Sequence, residues 1–175
     1  EVADVVHEHR DPKLTRRFHQ EARIGASLKS RHATEVFEVG VDGRTGCPWM
    51  LSEMLTGEDL ARRIKRHERM ATLEVAEVFD ALGQVLGEAH RQNIVHGDLK
   101  PENIFLASPR DLDSVQTVKV LDFGIARIVQ QSSTSYLNHG ILGSPRWMAP
   151  EQLQEGGRIT PATDVWALGM LAFHL

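Results

Sequence analysis

Between Thr72 and Gln92 the apolar residues Val75, Val78, Phe79, Leu82, Val85, Leu86 and Ala89 return at intervals of three and four. That spacing predicts one long helix with a single buried face, Thr72 serving as N-cap ahead of Glu74 and Glu77. A helix of this kind cannot bury itself, and the neighbouring segments are what can cover it. Upstream, "TEVFEVGVD" and "CPWMLSEML" flank the turn "DGRTG" and read as a β-hairpin, preceded by a β-like "VADVV", a turn at Asp11-Pro12 and a helical stretch from Lys13 to Leu28. Downstream, "NIFLAS" and "VKVLDFG" read as two short strands joined by the turn-rich "PRDLDSVQ". The character changes from β-rich to helix-rich at the polar "TGEDL", so a boundary is expected near residues 54 to 57. The fold class is therefore α+β, with a smaller β-rich unit over 1–55 and a helical unit over 56–175.

With 20 Lys and Arg against 24 Asp and Glu, the formal net charge of −4 provides no global basic field for nucleic acid, and none is expected as a partner. The basic clusters in "KLTRRFHQEAR" and "ARRIKRHERM" read first as solvated helix faces, with phosphate or acidic-partner contact as the alternative. A single cysteine, Cys47, cannot close an intrachain disulfide, which fits a reducing compartment, and a cytoplasmic location is expected. The first residues lack a basic region followed by a long apolar run, and "VWALGMLAFHL" is too short to cross a bilayer, so no membrane segment is expected within the chain. That apolar run reaches the last residue, which suggests a sequence stopping inside a domain, with Trp166, Leu168, Leu171 and Phe173 short of partners.

The chemistry is concentrated in "IVHGDLKPENIFL". Asp98 can accept a hydroxyl proton, Lys100 can neutralise a developing phosphoryl charge, and Asn103 can offer an oxygen to Mg²⁺, with Pro101 stiffening the chain between them. A second acid, Asp122 in "LDFG", follows a short apolar strand, and Gly124 gives the backbone freedom to turn its carboxylate into a cleft. Hard oxygen donors without paired His or Cys suit Mg²⁺ rather than zinc.

The segments "FHQEA", "HGDLKPEN", "DFGIAR", "GSPRWMAPE" and "DVWALG", in this order, resemble a eukaryotic-type Ser/Thr protein kinase catalytic domain, with a bacterial flavour in "DGR" and "NIFL". The separations are family-like apart from a long connection between Asn103 and Asp122. The resemblance implies a two-lobed fold, ATP and Mg²⁺ as cofactors, and protein substrates with Ser or Thr acceptors. It implies that Asp98 and Lys100 are catalytic, that Asn103 and Asp122 hold the metal, and that Glu53 to Leu55 and Phe105 surround the adenine, with Ser52 leaving an open back pocket. It also implies that Glu21 pairs with a strand lysine, that His96 and Phe123 pack behind the site, that Ser144 and Pro145 face substrate, and that Asp164 holds the catalytic loop from below.

Three departures stand out. No Gly-rich phosphate loop and no strand lysine precede Glu21, which suggests a chain that begins inside the small lobe and is inactive alone. Glu151 lacks the downstream arginine that usually pairs with it, and Gly97 stands where most of the family carries arginine. Gly97 cannot hold a phosphate, so the hydroxyl cluster Ser132–Ser135 is not expected to activate through the catalytic loop. Two other readings remain: an inert pseudokinase-like binding module, and a small-molecule phosphotransferase, which also uses an "HGD" loop but usually lacks "DFG", "APE" and "DVWALG".

Overall fold

Alternating side chains on either side of "DGRTG" do form a hairpin: β1 (Val36–Val41) pairs antiparallel with β2 (Pro48–Ser52), Val41 opposite Pro48 and Val36 opposite Ser52. The turn is held by Asp42, whose Oδ1 accepts the Thr45 amide at 2.6 Å, the Thr45 hydroxyl at 2.7 Å and the Arg44 amide at 3.1 Å. These donors, the Thr45 hydroxyl foremost, hold the Asp42 carboxyl below its usual range. The structure is a computed structural model, and it describes residues 27–66, 69–108, 116–123, 145–154 and 156–175. The expected "VADVV" strand, the turn at Asp11-Pro12 and nearly all of the helix from Lys13 lie outside the described residues.

A second, three-stranded antiparallel sheet has the order β3 (Gly57–Asp59), β4 (Ile104–Ala107), β5 (Thr117–Val120). Strand β3 falls within the polar "TGEDL", which carries no strand pattern; it forms because the outer edge of β4 would otherwise leave main-chain groups unpaired. Gly57 is required there: at φ +141°, a Cβ on it would lie 2.1 Å from the Leu106 carbonyl oxygen. On the other edge, residues 32 to 34 run beside β5. Val120 N donates to His32 O (2.7 Å) and Thr34 N to Val120 O (3.0 Å). His32 is buried as the neutral Nδ1–H tautomer, since Nδ1 donates to Val118 O at 2.8 Å while Nε2 accepts from Arg31 Nε at 2.9 Å.

Helix α1 (Leu60–Arg66) carries part of the second basic cluster, and its arginines are matched by acids: Arg62 to Asp59, Arg66 to Glu58, and Arg63 to both oxygens of Glu74 at 2.7 and 2.9 Å. Helix α2 (Thr72–Arg91) buries Val78, Ala81, Leu82, Val85, Leu86 and Ala89, while Val75 and Phe79 pack at the margin of the core. Thr72 is not its N-cap. Ala71 occupies that position in extended conformation, and Glu74 reaches back to accept the Ala71 amide at 3.1 Å, so the acid one turn in satisfies the helix end.

The closing helix, α3 (Pro161–His174), starts after Thr160 with Pro161 in its first turn and buries Thr163, Asp164, Ala167 and Leu171 at helical spacing. The expectation that four apolar residues would lack partners holds for Trp166 and Phe173, which are exposed, but not for Leu171, which is fully buried, or Leu168, which packs against the core. Among the described residues no helix is long and apolar enough to cross a membrane. The β-sheet portion and the helical portion together give the α+β, two-part arrangement that the resemblance implies.

Candidate active site

The segment between α2 and β4 is irregular but anchored. Ile94, Val95 and Leu99 are buried in it, and His96 is fully enclosed. Nε2 of His96 donates to Leu121 O at 2.9 Å and Nδ1 accepts the Asp98 amide at 3.2 Å, so the imidazole is neutral and its two nitrogens are committed to backbone. Its ring meets Phe123 edge-on, with centroids 4.9 Å apart. Pro101 then opens a single 3₁₀ turn, Pro101–Asn103, closed by Asn103 N donating to Lys100 O at 2.9 Å.

That turn brings three side chains together. Lys100 Nζ lies 2.7 Å from Asp98 Oδ2, and Asn103 Nδ2 donates to the Asp98 carbonyl at 2.8 Å and to Oδ2 at 3.3 Å. Both side-chain contacts fall on Oδ2, which turns Oδ1 into the oxygen available to an incoming hydroxyl. The amide of Asn103, by donating through Nδ2, presents Oδ1 as its remaining polar atom.

The long connection between Asn103 and Asp122 is spanned by the β4–β5 pairing. Ile104 faces Val120, and Leu121 N donates to Asn103 O at 2.9 Å, so Asp122 arrives beside the segment that carries Asp98 and Asn103 despite the intervening residues. Asp122 is held at φ +57°, a left-handed backbone that Asp tolerates better than most residues. Although the residue is exposed, loss of water around its carboxyl is the main cause raising the pKa above the usual value. The Asp98 charge adds to the shift and Lys100 opposes it.

Beneath the loop, Asp164 is 1% exposed. Its Oδ2 accepts the His96 amide at 3.0 Å and the His90 Nε2 proton at 2.7 Å, and its Oδ1 accepts the Gly97 amide at 2.8 Å. Glu151 is partnered by a hydroxyl: Thr163 Oγ1 donates to its Oε1 at 2.7 Å. Gln152 donates to the Gly97 carbonyl at 2.7 Å. His90, Thr163 and Gln152 carry no motif of their own; Thr163 and Gln152 adjoin "DVWALG" and "APE", and His90 lies a short way upstream of "VHGD".

On the far side of β5, the Glu53 carboxylate is committed to the scaffold. Oε1 accepts the Glu35 amide at 2.9 Å and Lys119 Nζ at 2.6 Å, and Lys119 also reaches Ala33 O at 3.2 Å. What Glu53 can present to a ligand is therefore main chain. Leu55 is half-buried beside it, and Phe105, half-buried on β4, lies against Gly57. Glu21, Gly124, Ser144 and the Ser132–Ser135 cluster lie outside the described residues.

Among the described residues no three His, Cys, Asp or Glu side chains gather into a metal cage. The oxygen donors of Asn103 and Asp122 nevertheless suit Mg²⁺, which takes one or two protein ligands and completes its octahedron with phosphate oxygens and water.

The protein kinase domain family matches residues 3–175. The chain is 35% identical over 173 residues to serine/threonine-protein kinase Pkn1 of Myxococcus xanthus, covering 98% of this chain and 24% of that protein. It is 33% identical to PknL of Mycobacterium tuberculosis over 165 residues, covering 94% of this chain and 39% of that one, and 29% identical to PrkC of Bacillus subtilis. The chain thus spans a quarter to two fifths of the length of these relatives. Among solved structures, the PknI kinase domain of M. tuberculosis superposes with a TM-score of 0.71 at 26% identity, covering 95% of this chain and 58% of that one.

Proposed function

The chain belongs to the protein kinase domain family, and on that footing we propose that it serves ATP-dependent phosphoryl transfer to Ser or Thr hydroxyls of protein substrates. The observation that carries the reading is the convergence of Asp98, Lys100 and Asn103 on one point, with Asp122 delivered next to them by β4–β5 pairing.

In this reading Asp98, its Oδ2 held by Lys100 and Asn103, orients the acceptor hydroxyl and takes its proton at Oδ1. Lys100 moves its charge from Asp98 toward the transferred phosphoryl oxygens. Asn103 and Asp122 would hold Mg²⁺, which when bound would supply positive charge against the phosphates. Main chain at Glu53 to Leu55 and the Phe105 side chain border the adenine. Transfer chemistry of this kind is mostly positioning plus electrostatics, which explains why so much of the surrounding hydrogen bonding is spent on fixing backbone. The cytoplasm, rich in ATP and reducing, suits a chain with one unpaired cysteine, Cys47.

The test is transfer of labelled γ-phosphate from Mg·ATP to Ser/Thr peptides by the full-length gene product purified free of other kinases, with Asp98→Asn as the control. Incorporation that survives Asp98→Asn unchanged, or none at all from the wild type, overturns the reading.

A further inference from the structure

Gly97 directly precedes Asp98 and takes a left-handed backbone, φ +74°. A glycine has the most conformational freedom of any residue, so at this position something outside the loop must define the peptide planes that aim Asp98. Its amide is held by Asp164 Oδ1 at 2.8 Å, and its carbonyl accepts Gln152 Nε2 at 2.7 Å. The other end of the same side chain, Gln152 Oε1, accepts the Ala149 amide at 2.9 Å, while Gln152 N donates to Ala149 O at 2.9 Å. One amide group therefore spans two segments, as donor to the catalytic loop and as acceptor within the turn Pro150–Leu153. Asp98, Met148, Gln152 and Thr163 line one small crevice where loop and turn meet. A Cβ built on Gly97 lies 3.4 Å from Ile159 Cγ2, an ordinary contact, so the left-handed backbone rather than crowding is what disfavours a side chain there.

We infer that Gln152 is a positioning residue that couples the conformation of segment 145–153 to the aim of Asp98 through the Gly97 carbonyl, without an arginine at position 97 and without phosphate. The inference rests on the proposed kinase reading for its consequence, but not for the contact itself. A Gln is needed because both functions of the amide are used. Glutamate keeps the acceptor for Ala149 and sets a carboxylate against the Gly97 carbonyl; leucine provides neither. A shift of residues 145–153 that displaces Gln152 is therefore felt at the 97–98 peptide.

The experiment compares wild type, Gln152→Glu and Gln152→Leu in the full-length gene product, by amide hydrogen exchange over residues 96–99 and by steady-state kinetics. In both variants exchange at 97 and 98 is expected to rise tenfold or more and kcat to fall roughly 10- to 100-fold, with KM for ATP within twofold of wild type. Gln152→Glu retains the Ala149 contact and the side-chain shape, so it carries the test if the leucine variant does not fold. Unchanged exchange in Gln152→Glu overturns the inference whatever happens to kcat, as does faster exchange with undiminished kcat in an active protein. If the wild type transfers no phosphate while exchange rises in the variants, the bridge stands and the kinase reading fails.

Discussion

The Asp164 carboxylate and the Gly97 amide are joined by a 2.8 Å hydrogen bond between residues 67 positions apart. This links the first turn of α3 to the residue before Asp98, and it is one of three donors that converge on a side chain with almost no access to water.

Removing that carboxylate leaves two buried amides and the half-buried His90 without their acceptor. Asp164→Ala is expected to destabilise the full-length protein by about 3 kcal/mol or more, the scale for breaking a buried charged network. Chemical denaturation measures it; a loss under about 1 kcal/mol shows that the loop is held by other means.

A side chain at position 97 must adopt φ +74° with Ile159 at 3.4 Å. Gly97→Ala is expected to cost about 1–2 kcal/mol, chiefly from the left-handed backbone. The same denaturation experiment reads it, and a neutral or stabilising alanine means that the loop relaxes to another conformation.

Asp98 and Asp122 are expected to fail differently. Asp98→Asn lowers kcat roughly 10²- to 10⁴-fold while nucleotide affinity stays close to wild type, as for loss of a general base. Asp122→Ala abolishes Mg²⁺-dependent nucleotide binding as well as transfer. Calorimetric titration with Mg·ATP separates the two, and equal binding defects contradict this division of roles.

The raised pKa of Asp122 has a sign that can be tested without catalysis. A carboxyl whose folded pKa lies above its unfolded one is disfavoured as a carboxylate by the fold. The penalty is present in full above the folded pKa and gone below the unfolded one. Asp122→Asn, which tolerates φ +57°, is therefore expected to be more stable than wild type at pH 7 without metal or nucleotide, and to lose that advantage as pH falls through the carboxyl range. Urea titrations at several pH values decide it; an advantage that grows toward low pH reverses the sign of the shift.

What the sequence alone determined was local. The hairpin around Asp42–Gly46, the helix Thr72–Arg91, and the closeness of Asp98, Lys100 and Asn103 all follow from interactions within a few residues, where turn chemistry, helical spacing and a Pro-opened turn act directly. Tertiary structure decided which distant polar groups satisfy one another. His90 with Asp164, Lys119 with Glu53, Thr163 with Glu151 and Gln152 with Gly97 are pairs 74, 66, 12 and 55 positions apart, and no periodicity encodes them. Strand β3 belongs with them: it exists because a main-chain edge had to be satisfied by whatever the packed chain placed beside it. A buried polar group must find a partner, but only the fold determines which partner is within reach.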